Sequence, residues 1–169
     1  MRRPSLHWLL CAIAALAAGN VQAHDDDRAK ARLSGFQEVL PLATSGSGQF
    51  EARLQSNSIS YELSFKDLEA NATQAHIHFG QKGVNGGIMV FLCSNLGNGP
   101  AGTPACPATA GTVTGTLTPA SVVGPAAQDV AAGQFDELLR ALRSGTTYAN
   151  VHSTKFPGGE IRGQIKVDD

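Results

Sequence analysis

Apolar and polar residues alternate along most of this chain with a period of two. In "SISYELSFK", Ile59, Tyr61, Leu63 and Phe65 fall on one side and Ser60, Glu62, Ser64 and Lys66 on the other. That period belongs to a strand with one face buried. The same alternation runs through Phe50, Ala52 and Leu54, through Val113, Gly115 and Leu117, and through Ile161, Gly163, Ile165 and Val167. "GIMVFLC" is continuously apolar, as expected of a strand covered on both faces. The turns between these runs, "TSGSG", "QKGVNGG" and "FPGG", are rich in glycine. Short strands with such turns predict an all-β fold, an immunoglobulin-like or Greek-key β-barrel or sandwich. One segment breaks the period. In "GQFDELLRALRSG", Phe135, Leu138, Leu139 and Leu142 recur at helical spacing, with acids early, arginines late and Gly145 as the stop. It predicts a short helix crossing one end of the barrel.

The N-terminus follows another rule. Arg2 and Arg3 precede an apolar stretch from Leu6 to Ala18, and the small-residue end "VQA" closes it at Ala23. This is the build of a secretory signal peptide, too short to span a bilayer. The expected organisation is a signal peptide over 1–23, a flexible acidic N-terminus over 24–31 and one domain over 32–169. The protein is then exported to the periplasm or beyond the cell, without a transmembrane segment. Cleavage would make His24 the first residue, and its α-amine and imidazole together are a candidate copper chelate.

Charge and cysteines refine that picture. The full chain has 13 basic and 14 acidic residues, and cleavage would remove Arg2 and Arg3, leaving 11 against 14. A net negative chain argues against nucleic acid or anionic lipid as the main partner. Cleavage would also remove Cys11, leaving Cys93 and Cys106 on either side of a Gly/Pro-rich stretch. In an oxidising compartment such a pair is expected to form a disulfide.

Five stretches, in order, carry a family resemblance: "LSGFQEVLP", "AHIHFG", "GVNGG", "ELLRALRSG" and "YANVHSTKFPGGEIRGQI". Together they resemble the chordin-type domain, CHRD, over nearly the whole mature chain. The resemblance implies an immunoglobulin-like β-barrel with a distant likeness to the copper/zinc superoxide dismutase fold. It implies no settled activity.

The candidate chemistry therefore rests on residues. In "AHIHFG", period-two geometry turns His76 and His78 to one face and Ala75, Ile77 and Phe79 to the other. In "TYANVHS", Ala149 and Val151 face the core, so Tyr148, Asn150 and His152 point outward with the two histidines. Three imidazoles on one outward patch suit zinc or copper. Superoxide dismutases also place an HxH pair on a barrel strand as copper ligands, but here the loop after "AHIHFG" holds no histidine to bridge two metals. Glu160 and Arg162, expected outward, join Tyr148 and Asn150 as the residues around the cluster. No serine, histidine and aspartate set or paired-carboxylate motif marks a catalytic residue. Two functions remain open. One is a secreted non-enzymatic binding module for a protein, a polymer or a metal; the other is a superoxide dismutase-like metalloenzyme using His76, His78 and His152. A structural polar cluster of histidines accounts for the same residues without a metal.

Overall fold

A computed structural model describes residues 27–168. Nine strands form one antiparallel sheet: β1 (Asp27–Ser34), β2 (Ser47–Leu54), β3 (Ile59–Lys66), β4 (Ala72–Phe79), β5 (Gly87–Ser94), β6 (Gly111–Leu117), β7 (Thr147–Ser153), β8 (Ile161–Gln164) and β9 (Lys166–Asp168). Their order across the sheet is β5-β4-β7-β8-β1-β2-β3-β6, with β9 continuing beside β1. The non-consecutive neighbours β4–β7, β8–β1 and β3–β6 are the long crossovers of a Greek-key near-barrel. The expected all-β architecture with one short helix is the one observed.

Period-two alternation builds the interior. Phe50, Leu54, Ile59, Leu63, Ile77 and Leu92 are fully buried on the inner face, and each such side chain stabilises the fold by roughly 1.5–3 kcal/mol. The helix α1 (Phe135–Arg143) lays Phe135, Leu138, Leu139 and Leu142 on this core. Asp136 and Glu137 occupy its first turn and Arg140 and Arg143 its last, and Gly145 takes a φ of 69° just beyond it.

The barrel is not fully closed. Among the described residues no ladder joins β5 to β6; β5 instead makes an isolated bridge from Val90 to Val122, in the segment that follows β6. Other groups occupy the remaining edge of β5: Gln128 Oε1 accepts from Gly87 N–H at 2.7 Å, Met89 O accepts from Val123 N–H at 2.9 Å, and Leu92 O accepts from the Tyr61 hydroxyl at 2.6 Å. Beside this seam, Cys93 and Cys106 form the expected disulfide.

The start of the domain departs from expectation. Residues 27–31 are not a flexible tail: Asp27 to Ala31 pair in register with Leu54 to Phe50 of β2, and Arg143 Nε lies 2.8 Å from the Asp27 carboxylate. Ala29 and Ala31 face the core. The acidic appearance of "HDDD" concealed a strand whose outward positions are Arg28 and Lys30. The segment expected to be a signal peptide, with Cys11, and the expected first residue His24 lie outside the described residues. No helix among the described residues is long and apolar enough to cross a membrane.

Candidate metal centre

β4 and β7 are adjacent, so the topology brings the three histidines together. His76 sits opposite Asn150, His78 opposite Tyr148, and Gln74 opposite His152. Shifts in register between β4 and β5 fall at Ala75/His76 and at Ile77/His78. Such irregularities bend a strand and re-aim its side chains. His76, His78 and His152 each offer a ring nitrogen, all within 4.8 Å of one another.

The cluster lies on the outer face of the sheet but is not an open patch. His76 is 0% exposed, His78 8% and His152 7%. Three loops roof this face: 35–46, 80–86 and 154–160. His78 Nδ1–H donates to Gly86 O at 2.9 Å, and His152 Nδ1–H donates to Pro157 O at 2.9 Å, each carbonyl coming from a roof loop. Gly86 has to be glycine, because a Cβ there would stand 1.8 Å from the Phe79 carbonyl oxygen. Gly159 has a φ of 127°, and a Cβ on it would meet the Asn150 and Glu38 side chains. The glycines of "GVNGG" and "PGG" thus let the roof descend onto the histidines.

These hydrogen bonds set the tautomers. With Nδ1 of His78 and His152 committed as donors, each Nε2 carries its lone pair inward, the disposition usual for metal-binding imidazoles. His76 Nδ1 lies 3.2 Å from His152 Nε2, while His76 Nε2 and His78 Nε2 are buried with no partner among the described residues. Unpaired buried acceptors cost free energy, and a cation would satisfy them. Burial holds the rings neutral: desolvation, with the other histidines adding to it, pushes His76 down to about 2, and desolvation pushes His78 down to about 4 against the opposing bond to Gly86. His152 is lowered for the same first reason. Zn–N bonds of about 2.1 Å let two ligands lie at most about 4.2 Å apart. A pair at the outer limit of 4.8 Å therefore has to close by at least about 0.6 Å to share an ion.

Aromatic rings frame the cluster. Phe91 presents its face or edge to His76 at 4.5 Å between centroids, and Tyr148 stacks parallel on His78 at 4.8 Å. Behind Tyr148 lies Arg162, its guanidinium carbon 3.4 Å from the ring centroid. Arg162 is 2% exposed, and it donates to Val84 O at 2.7 Å, Gln81 O at 3.1 Å and Asn85 Oδ1 at 3.1 Å. It therefore clamps the loop that supplies Gly86. Tyr148 completes the arrangement by accepting from Gly86 N–H through its hydroxyl.

Two residues expected beside the cluster serve elsewhere. Asn150 donates to Glu38 Oε1 at 2.6 Å and to Ile161 O, not to a histidine. Glu160 is wholly buried, not outward, and turns to the loops at the barrel end: Thr44 Oγ1 and Glu69 N–H each donate to it at 2.8 Å. Glu38, which the sequence pattern did not single out, is the acid of the roofed face. Burial pushes its carboxyl up to about 7 against the opposing pull of Asn150 and Arg162. Its signal was a lone acid inside the apolar stretch "GFQEVLP".

The residues that build this arrangement, from Ala29 in β1 to Ile165 after β8, coincide with a family match: residues 29–165 fit the model for the CHRD domain. The chain belongs to the CHRD domain family. No curated protein and no solved structure matches it. Within this CHRD domain the roof loops carry parts of three of the stretches that resembled the family, "LSGFQEVLP", "GVNGG" and "YANVHSTKFPGGEIRGQI". Those stretches therefore enclose the histidines.

Proposed function

We propose that this CHRD domain is an exported, non-enzymatic binding module that holds one copper or zinc ion through His76, His78 and His152. The observation that carries this reading is the pair of buried, unpartnered Nε2 atoms on His76 and His78 beside the inward Nε2 of His152. The donor chemistry fits either metal: three neutral imidazoles, two of them fixed in tautomer by backbone carbonyls. The roof supports holding over turnover, because the three rings are at most 8% exposed and leave a substrate little access. The Cys93–Cys106 disulfide supports export to an oxidising compartment.

The test is metal retention by the exported protein, purified, stripped with a chelator and titrated at neutral pH with Cu²⁺ and with Zn²⁺. We expect about one equivalent of one metal to be retained after desalting, and both His78→Gln and His152→Gln to abolish it. Retention of neither metal overturns the reading. Superoxide dismutation by the loaded protein would replace the binding module with the metalloenzyme.

A further inference from the structure

A second feature lies on the outer face of β1, away from the roofed histidines. A groove of about 590 Å³ runs between β1, β9 and the 80–86 loop, and Lys30, Arg32, Lys82 and Lys166 supply its cations. Its lining contains no carboxylate. Lys30 and Lys166 stand directly opposite each other on neighbouring antiparallel strands. Like charges in that position are destabilising. Asp168 compensates Lys30, but among the described residues Arg32, Lys82 and Lys166 have no ion-pair partner. A fold that concentrates unpaired cations in one concavity of a net negative chain is arranged for an anion.

The remaining lining narrows the anion's chemistry. Gln37, Gln49 and Gln164 share the groove with the cations. Gln37 Nε2 donates to Arg32 O and Gln49 Nε2 to Glu51 Oε1, which leaves the amide oxygens of these two less buried side chains as the acceptors the groove offers. An acceptor pairs with a donor, which a bare carboxylate at neutral pH lacks and a hydroxyl provides. Cations beside amides, in a space within the usual 300–1,000 Å³ range of ligand sites, match a ligand carrying both anionic groups and hydroxyls.

We propose that this groove binds an acidic polysaccharide, with carboxylates of uronate-type sugars on Arg32, Lys82 and Lys166 and hydroxyls on the glutamine amides. The site is separate from the histidine cluster and needs no metal. Because the cations are exposed, the affinity is strongly weakened by salt.

The experiment measures binding of the exported, chelator-treated protein to polygalacturonate and alginate at low and moderate ionic strength. Polyglutamate, which has carboxylates without hydroxyls, and phosphatidylglycerol vesicles serve as comparators. We expect saturable, salt-sensitive binding to at least one uronate polymer, weaker binding to polyglutamate and none to vesicles. The double variant Lys82→Glu/Lys166→Glu should weaken it at least about tenfold, since it reverses two exposed charges. Arg53→Glu, on the outer face outside the groove, should leave it unchanged. Thermal midpoints of both variants check that the fold is intact, and Lys82→Ala/Lys166→Ala replaces the double charge reversal if that variant unfolds. No uronate binding, equal or tighter binding to polyglutamate, a preference for vesicles, or binding indifferent to the groove variants each overturns the proposal.

Discussion

His76 has a histidine nitrogen on one side, a phenylalanine ring on another and no partner for Nε2. Protonating it, or its two neighbours, would place positive charge in a desolvated pocket. The linkage has a definite sign. The folded-state values lie below the ordinary 6.5, so the unfolded chain binds protons first as pH falls. The stability contributed by keeping these rings neutral is fully present above about pH 6.5 and is lost as pH drops toward 4. For His78, whose value falls to about 4, that is of the order of 3 kcal/mol. Glu38, raised to about 7, contributes with the opposite sign between pH 7 and 4.5, so the histidine term is read in a Glu38→Gln background. There, denaturant unfolding of the metal-free protein should show stability declining between pH 6.5 and 4, and adding His78→Gln should flatten the slope; an equal slope with and without His78 would contradict the burial argument. At this scale the sequence was informative where alternation was regular: it paired His76 with His78 and set His152 on the same side of its strand. It misled at Glu160, because the positive φ of Gly159 turns the chain just before it and breaks the alternation. It also placed the histidines on an open surface, since no period within a strand reveals that a distant loop will cover it.

Strands and helix were legible because their burial patterns are local. The leucines of α1 sit at helical spacing whatever surrounds them, and the outward and inward residues of β3 separate cleanly. β1 was missed over 27–31 because short alanines and a run of charge weaken the local signal, and its pairing with β2 settles the matter. β8 shows how one strand position organises an element. Arg162 projects from it under Tyr148 and ties the 80–86 loop by two backbone carbonyls and the Asn85 side chain. Lysine cannot reproduce that fork. Arg162→Lys should destabilise the protein by about 2 kcal/mol or more, given the 1.5–3 kcal/mol typical of hydrogen bonds to charged groups. Through Gly86 it should also lower affinity for the proposed metal about tenfold, the low end for residues supporting a ligand. Equilibrium unfolding and metal competition measure the two effects separately. A variant matching the wild type in both would show the clamp to be dispensable.

For the molecule as a whole, the disulfide and the seam belong together. Cys93 ends the buried run of β5, and Cys106 lies in the connection that carries the chain across to β6. Their separation of 13 residues gives a loop-closure stabilisation of roughly 3 kcal/mol. Cys93→Ser/Cys106→Ser, or reduction of the wild type, should lower the unfolding free energy by about that amount in urea titrations. An unchanged midpoint would place the bridge outside the cooperative unit. Cysteine arithmetic made this pair visible in the sequence. The order of strands around the barrel, and with it the meeting of β4 and β7, depended on long-range pairing that no local pattern encodes.

The incompletely closed seam also bears on how the protein behaves in a crowd of its own copies. "GIMVFLC" combines high β-propensity, strong hydrophobicity and no charge or proline, the composition that seeds cross-β assembly. It lies at the end of the sheet order, where a strand's backbone normally offers itself as a template. The chain keeps that offer closed with its own 122–128 segment and a tyrosine hydroxyl, which occupy the groups that a second molecule would otherwise pair with. Val122, Val123, Gln128 and Tyr61 thus cover an edge whose backbone would otherwise be free to pair with a second copy.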